Sequence, residues 1–142
     1  MRAALDEARI AEAEGEVPVG AIVVSADQII GRGHNRSIQD HDPSAHAEVI
    51  ALRDAGRAQK NHRLVGVTMF VILEPCAMCV GALIQARIAR LVFGAYDDKA
   101  GAVGSVIDLS QERRLNHRFE VNGGLFAEDC SCLLSEFFAK KR

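Results

Sequence analysis

The stretch from Gly66 to Ala95, GVTMFVILEPCAMCVGALIQARIARLVFGA, decides the fold. Its first part, residues 66–73, is a continuous apolar run that predicts a strand buried on both faces. Pro75 stops this strand, and residues 76–88 have the composition of a helix that begins at the cysteines. Residues 90–95, RLVFGA, predict another strand. Strand, helix and strand follow one another, which is typical of an α/β layer architecture.

The segments on either side continue this alternation. Upstream, residues 1–16 have a helical apolar period, and VPVGAIVV and QIIGRGH are β-branched runs that predict an antiparallel hairpin joined by SADQ. Ser44 is predicted to N-cap a helix, AHAEVIALRDAGRA, after a polar loop. Downstream, residues 97–116 are irregular, RFEVNGG is expected to be a strand, and FAEDCSCLLSEFFAKKR an amphipathic helix. The pattern predicts an α/β fold with a central sheet of about five strands.

Length and composition limit the class of protein. A chain of 142 residues, 49% of them apolar, can bury one core, so we expect a single domain spanning residues 1–142. No apolar run approaches the roughly 20 residues that cross a bilayer, and the charged N-terminus lacks a secretory signal. We therefore expect a soluble, cytoplasmic protein with no membrane partner. In the cytoplasm the four cysteines are expected to be reduced or metal-bound rather than joined in disulfides.

The charge of the chain gives no strong indication of its partners. A net charge of −2 exerts no global attraction on nucleic acid. Basic residues gather at Arg87 and Arg90, and again at Lys140, Lys141 and Arg142, where a helix C-terminus favours cations. Each cluster is either a local basic patch or an ordinary solvated surface, and the sequence leaves both interpretations open.

Cys76 and Cys79 form a Cys-x-x-Cys pair at the start of the predicted helix. Their i, i+3 spacing puts both sulfurs on one face, and a helix N-terminus favours the thiolate form that binds zinc. The pair alone is also compatible with a redox pair, a structural zinc knuckle or two core cysteines. His46 begins the other helix that follows an irregular loop, so the two helix N-termini are expected to face each other. One imidazole and two thiolates leave the fourth tetrahedral position of zinc open, as in catalytic sites.

Glu48 is the candidate for proton transfer. It lies two residues after His46, and residues two apart on a regular helix do not share a face. Both side chains reach one site only if His46 lies where the backbone is still entering the helix. Taken alone, a glutamate in a helix is usually a solvated surface charge, and a single histidine is usually a cap or core residue.

Taken together, HAE at 46–48 followed by PCAMC at 75–79 is the signature of zinc-dependent deaminases. Zinc lowers the pKa of a bound water to about 7, and the resulting hydroxide attacks the amidine carbon of the base. The glutamate takes the proton of the water and then protonates the ring nitrogen and the amine, which leaves as ammonia. We therefore expect His46, Cys76 and Cys79 as metal ligands and Glu48 as the catalytic residue.

Beyond this signature, the chain resembles the bacterial tRNA-specific adenosine deaminases over nearly its whole length. The matching segments include VPVGAIVV, GHNR, HDPSAHAEVIALR, EPCAMCVGALIQARIARLVFGA, KAGAVGS, LNHR and LLSEFF. The resemblance implies a three-layer α/β/α, cytidine-deaminase-like fold with a mixed sheet, one zinc ion per subunit, and a homodimer. It also implies conversion of adenosine to inosine at the wobble position of a tRNA anticodon, with the anticodon stem-loop as partner.

The resemblance assigns three residues to the base itself. Asn35, in GHN, matches the residue that hydrogen-bonds the flipped adenine, while Val19 and Ala47 match the wall of the pocket. Taken alone, Asn35 is a typical turn former, so its role depends on the resemblance.

Other residues are assigned to the surrounding RNA. Asp97, Lys99 and Asn116 match positions that contact the flanking nucleotides or their backbone. Phe137 and Phe138 match an aromatic pair near the RNA-binding edge, and we expect one ring, that of Phe138, to be available to a base.

The chain also departs from the family pattern. The N-terminal helix begins late, His34 replaces an aromatic residue common beside the asparagine, and Tyr96 stands where arginine is frequent, which removes a cation from one RNA contact. Cys130 and Cys132 are expected to pack in the core, since no histidine lies near them. The helix that begins at the Cys-x-x-Cys pair and the strand after it carry surplus apolar surface and are candidates for the dimer face.

Two other functions fit parts of the pattern. A deaminase of a free base or nucleoside, such as guanine or cytidine, would carry much the same zinc signature. A non-catalytic, zinc-bearing RNA-binding subunit would lack the glutamate. The segment HDPSAHAE and the Gly-rich stretch after VFGA favour the tRNA group, and the presence of Glu48 favours an enzyme.

Overall fold

The computed structural model describes residues 1–141, which form four helices and five strands. The helices are α1 (Arg2–Ala13), α2 (Ala47–Gln59), α3 (Ala77–Ala86) and α4 (Ala127–Lys140). The strands are β1 (Gly20–Ser25), β2 (Gln28–His34), β3 (Thr68–Leu73), β4 (Arg90–Ala95) and β5 (Glu120–Gly123). Arg142, which belongs to the C-terminal basic cluster, lies outside the described residues.

The five strands form one mixed sheet in the order β2-β1-β3-β4-β5, which confirms the predicted α/β class. Strand β1 is antiparallel to both of its neighbours, while β3, β4 and β5 are parallel to one another. Leu73 pairs with Ala95, so β3 and β4 end side by side. We call this the carboxyl edge of the sheet, and in open α/β sheets it is the edge where ligands bind.

Helices cover both faces of the sheet. Gly33 in β2 lies so close to α2, and Gly20 in β1 so close to α1, that a methyl group at either position would overlap the helix backbone. Gly33 pairs with Ala21, the neighbour of Gly20, so the two glycines face opposite sides of the sheet. Helix α3 packs beside α2, and α4 lies on the α1 face, where Lys140 pairs with Glu12 at 3.7 Å. The predicted three-layer α/β/α arrangement is therefore confirmed.

The predicted hairpin is present and closes with a two-residue turn. Ala26 and Asp27, between β1 and β2, both have positive φ, at 48° and 63°. This is the conformation of a type I′ turn, whose twist matches that of the paired strands. The hairpin fixes the end of β2, and thus His34 and the residue after it, beside the start of β1 at the carboxyl edge.

The prediction that Ser44 caps α2 is wrong. The N-cap is His46, and the helix begins at Ala47. The Ser44 hydroxyl instead donates a 2.7 Å hydrogen bond to Asp42, because a local turn satisfies it before the helix starts. The N–H of Ala47 is taken by a residue from another element, the side chain of Asn35, at 2.8 Å.

One half of the predicted dimer face is also wrong. Strand β4 lies between β3 and β5, and its residues 91–95 are buried within the chain, so it offers no free surface. Of the two elements predicted for the dimer face, α3 remains a candidate. No helix within residues 1–141 combines the length and apolar character needed to cross a membrane.

Candidate metal centre

The structure brings the three predicted ligands together at the carboxyl edge. His46 is the N-cap of α2, Cys76 is the N-cap of α3, and Cys79 lies in the first turn of α3. The Nδ1 atom of His46 lies 3.7 Å from the Sγ atom of Cys76 and 3.5 Å from that of Cys79. All three ligand atoms lie within 4.8 Å of one another. The two helix N-termini therefore face each other, as predicted.

This arrangement fits zinc. In a tetrahedral site, Zn–N bonds of about 2.0 Å and Zn–S bonds of about 2.3 Å place a nitrogen and a sulfur ligand about 3.5 Å apart. The two nitrogen–sulfur distances in the cluster agree with this value. Among the described residues, no other group of three His, Cys, Asp or Glu side chains could hold a metal. Three protein ligands leave a fourth position for water or substrate, which distinguishes a catalytic site from a structural one.

Hydrogen bonds among the three candidate ligands shift their pKa values. Hydrogen bonds from Cys79 and then from His46 lower the pKa of the Cys76 thiol to about 4. The same hydrogen bond with Cys76 raises the pKa of His46, and sharing with Cys76 together with burial raises the pKa of Cys79. A lowered pKa favours the thiolate form of Cys76, which is the form that binds a metal. A metal ion that binds here displaces the protons held on the other two groups.

Glu48 lies inside the cluster rather than on the surface. It is 4% exposed, in the first turn of α2, within hydrogen-bonding reach of the Cys79 thiol. The i, i+2 spacing is no obstacle, because His46 has an extended backbone (φ −81°, ψ 152°) and its side chain does not follow the helical rotation. Burial raises the pKa of Glu48. A carboxyl group with a raised pKa can both accept and return a proton near neutral pH.

Asn35 hydrogen-bonds the two other residues assigned to the base. Its backbone N–H donates to the Val19 carbonyl oxygen at 3.1 Å, and its side-chain oxygen accepts the N–H of Ala47 at 2.8 Å. Val19 and Ala47 are buried, and Asn35 is partly exposed beside them. Within the described chain the Nδ2 amide of Asn35 has no acceptor. The residue therefore offers a free donor next to the metal cluster.

Asp97 and Lys99 also lie at the carboxyl edge, in the segment that leaves β4. The Asp97 carboxylate accepts the N–H groups of Lys99 and Ala100, at 3.0 and 3.2 Å, and so shapes a local turn. The side chain of Lys99 is exposed. Tyr96, immediately before them, is 60% exposed and packs edge-on against Phe93.

Asn116 is not brought to this edge. The next residue, His117, hydrogen-bonds the Ile88 carbonyl oxygen at 2.8 Å, and Ile88 precedes the first residue of β4. Asn116 thus lies at the amino end of β4, and the metal cluster lies at the other end. Its contact with RNA stays a prediction. Any RNA that Asn116 contacts would lie away from the metal cluster of the same chain.

The C-terminal aromatic pair divides as expected. Phe137 is buried and Phe138 is 46% exposed. The end of α4 lies beside the end of α1, where Lys140 pairs with Glu12. Glu14, which follows α1, contacts His34 at the carboxyl edge. Phe138 is therefore outside the metal cluster, on the same side of the molecule.

The remaining cysteines form no second site in the described chain. Cys130 is buried as predicted, but the prediction for Cys132 is wrong, because its side chain is exposed. Residues two apart on a helix point in different directions, so both could not face the core.

The sequence analysis gave no role to two polar residues that organise this edge. His34, noted there only as a departure from the family pattern, lies between two carboxylates, that of Glu7 in α1 at 2.9 Å and that of Glu14, which follows α1, at 3.2 Å. Glu74 is 2% exposed and binds the segment after β4. The only signal for Glu74 was a charged residue at the end of an apolar run, and the histidine gave none.

Comparison with known proteins identifies relatives of the chain. The cytidine and deoxycytidylate deaminase zinc-binding region matches residues 1–95, which include the candidate ligands and Glu48. The tRNA-specific adenosine deaminase of Haemophilus influenzae is 52% identical over 143 residues, covering all of this chain and 83% of that protein. The Bacillus subtilis protein of the same name is 44% identical over 142 residues, covering all of this chain and 88% of that protein.

Among solved structures, a tRNA deaminase and a guanine deaminase resemble the chain to different degrees. A structure from studies of A-to-I editing by tRNA:A34 deaminases at the wobble position of transfer RNA is 40% identical, with a TM-score of 0.92 over 94% of this chain and 97% of that one. The guanine deaminase of Nitrosomonas europaea is 26% identical, with a TM-score of 0.81 over 96% and 81%. In these comparisons the chain is closer to the tRNA deaminases in both sequence and fold.

Replacing Cys79 by alanine is expected to abolish metal binding, because it removes one of three protein ligands. Cys132→Ala is the matched control, since it makes the same change at an exposed position outside the cluster. Elemental analysis of the purified proteins should find zinc lost in the first variant and retained in the second. Unchanged zinc in Cys79→Ala would remove Cys79 from the ligand set.

Proposed function

The chain belongs to the zinc-dependent cytidine and deoxycytidylate deaminase family and, within it, to the tRNA-specific adenosine deaminases, and we propose that it converts adenosine to inosine at the wobble position of a tRNA anticodon. The observation that carries this proposal is the His46, Cys76 and Cys79 cluster with the buried Glu48 carboxyl beside it. Three ligands and an adjacent acid–base group are the parts that hydrolytic deamination requires.

In this proposal each subunit holds one zinc ion on His46, Cys76 and Cys79, and the ion supplies an activated water molecule. Glu48 accepts a proton from the water that attacks the amino-bearing carbon of adenine. It passes this proton to the ring nitrogen, then accepts the second proton from the hydroxyl now on that carbon and passes it to the amine, which leaves as ammonia. The buried carboxyl suits both directions because its pKa is raised.

Asn35 is proposed to hold the adenine over the cluster. Its Nδ2 amide is free to donate to a ring nitrogen, while its Oδ1 atom is occupied by Ala47. Val19 and Ala47 supply apolar surface beside it. The base has to leave its stack to reach such a pocket, and this is easiest in a single-stranded loop.

The two ends of the Asn35 amide can be separated by substitution. Asn35→Asp keeps an acceptor for the Ala47 N–H but loses the donor, whereas Asn35→Ala loses both. We expect kcat/KM on RNA to fall at least about tenfold in both variants, because a hydrogen bond to the base is lost. Only Asn35→Ala should lose about 1 kcal/mol in the free energy of unfolding, as for a missing helix cap. Full activity in Asn35→Asp would exclude its amide from base recognition.

The anticodon stem-loop is the proposed partner, and several groups at the carboxyl edge support this. Lys99 is exposed and Asp97 partly exposed at the edge where the metal cluster lies, and Phe138 offers an exposed ring on the same side. Exposed aromatic rings are typical platforms for unstacked bases. Asn116 is proposed to touch RNA at a distance from the target base.

Substrate choice tests the function directly. We expect inosine formation on an anticodon stem-loop that carries a wobble adenosine, and little ammonia release from free adenosine, guanine or cytidine. Glu48→Gln should retain zinc and RNA binding but lose activity by about 10²- to 10⁴-fold, the usual worth of a general acid–base group.

Two outcomes would favour the alternatives. Rapid turnover of a free base or nucleoside with none on RNA indicates a small-molecule deaminase, for which the Nitrosomonas europaea guanine deaminase is the structural precedent. RNA binding with no turnover of any substrate indicates a non-catalytic subunit. Full activity in Glu48→Gln would remove this residue from the mechanism.

The proposal also includes a homodimer that forms through the outer faces of α2 and α3. A groove of about 850 Å³ lies between them, with an apolar floor that includes Val49, Leu52 and Ala82. Met78, at the start of α3, is 40% exposed, and α3 contains no charged residue. A helix with an apolar outer face of this kind is typical of an interface, and a second copy meets it with the same surface.

Ala82→Glu places a charge in this groove and is expected to produce monomers where the wild type is a dimer. Ala13→Glu, on the exposed end of α1, is the matched control and should remain dimeric. Sedimentation velocity distinguishes the two states. A monomeric wild type, or a dimer unaffected by Ala82→Glu, would contradict this interface.

Residues 1–142 are proposed to form a single deaminase domain, which is supported by the one sheet and one core cluster of the described residues. A cytoplasmic location stays a prediction, in keeping with a tRNA substrate.

A further inference from the structure

Glu74 is a buried carboxylate surrounded by hydrogen-bond donors. Its Oε2 atom accepts the N–H of Asp97 at 3.0 Å and the hydroxyl of Ser105 at 2.5 Å. Its Oε1 atom accepts the N–H groups of Ser105 at 3.0 Å and Val103 at 3.3 Å. All four donors come from the single segment 97–105. A carboxylate accepts such bonds on both oxygens, and charged acceptors make the stronger ones.

The backbone on either side of Glu74 reinforces this attachment. The N–H of Glu74 donates to the Ala95 carbonyl oxygen, and the N–H of Ala102 donates to the Pro75 carbonyl oxygen, both at 2.8 Å. Gly101 packs directly on the carboxyl group, where a methyl group would overlap it. The segment therefore closes around the residue that comes two positions before Cys76.

The segment held in this way carries the groups proposed to contact RNA. Asp97 and Lys99 lie on it, and Tyr96 lies at its start. Within the described chain, Glu74 is the only side chain from outside residues 96–105 that accepts a hydrogen bond from this segment. The other side-chain acceptor is Asp97 itself, which shapes the turn but does not attach it to the rest of the protein.

We propose that Glu74 is a positioning residue that holds the 96–105 segment in the conformation that binds the nucleotides next to the target adenosine. This inference rests on the proposed function, since it takes RNA as the substrate. Glu74 touches neither metal nor base in this assignment. It acts through Asp97, Lys99 and Tyr96, and it contributes to RNA binding rather than to the chemical step.

Glu74→Gln tests this assignment with little change in shape. The new amide group replaces one oxygen and points a donor at N–H groups, which leaves buried donors unpaired. Asp98→Asn is the matched control, because it removes one negative charge from an exposed side chain of the same segment that accepts no hydrogen bond in the described chain. Both variants thus remove one negative charge and have the same net charge.

Steady-state kinetics on an anticodon stem-loop should separate binding from chemistry. We expect Glu74→Gln to raise KM by about tenfold or more relative to Asp98→Asn, as for a buried donor left unpaired, with kcat within about threefold and zinc content unchanged. Ser105→Ala, which removes one donor and leaves the carboxylate, should raise KM less. It also provides the test if Glu74→Gln does not fold.

The segment can be followed without RNA, because Tyr96 is the only tyrosine in a chain that has no tryptophan. Acrylamide should quench the fluorescence of Tyr96 more strongly in Glu74→Gln than in the wild type or Asp98→Asn. This readout keeps the inference separate from the proposed function. If the wild type fails to deaminate RNA, the function is wrong, while the quenching still reports whether Glu74 holds the segment.

Two results would overturn the inference. One is a KM in Glu74→Gln equal to that of Asp98→Asn with unchanged quenching, which means that the carboxylate does not order the segment. The other is loss of zinc and kcat with an unchanged KM, which means that Glu74 acts on the metal ligands through Pro75.

Discussion

The site depends on two helices that begin at the same edge of the sheet, each at a proposed metal ligand. His46 caps α2 and Cys76 caps α3, so the positive ends of both helix dipoles point toward the cluster. This field favours thiolates, and the lowered pKa of Cys76 is consistent with it. The extended backbone of an N-cap also turns the His46 side chain away from the helical rotation, which leaves the first turn free to present Glu48 to the same point.

Residues from other elements hold this edge in place. The side chain of Asn35 satisfies the first N–H of α2, and the carboxylate of Glu74 satisfies three N–H groups of the segment after β4. Without such partners these groups would be buried donors that cost stability. The backbone at this edge is therefore held by hydrogen bonds to two side chains from other parts of the sequence, Asn35 and Glu74.

Much of this could be predicted from the sequence, because short-range patterns determine it. The alternation of strands and helices predicted the α/β class, and the HAE and PCAMC motifs predicted the cluster of His46, Cys76 and Cys79, while the three layers were implied by the family resemblance. What could not be predicted depends on long-range contacts. The first N–H of α2 is satisfied by Asn35, twelve residues before Ala47, and the prediction that Ser44 caps the helix was therefore wrong. The partners of Glu74 lie 23 to 31 residues away in an irregular segment, and no periodicity marks them.

The separate environments of the four cysteines have a practical consequence. Cys76 and Cys79 are the proposed zinc ligands, and Cys130 is buried on the inner face of α4 against Gly94. Cys132 alone presents a thiol to solvent. A maleimide dye or a cross-linker should thus attach at one defined point on the outer surface of α4, so the native chain can be tethered to a surface or labelled without engineering a new attachment site.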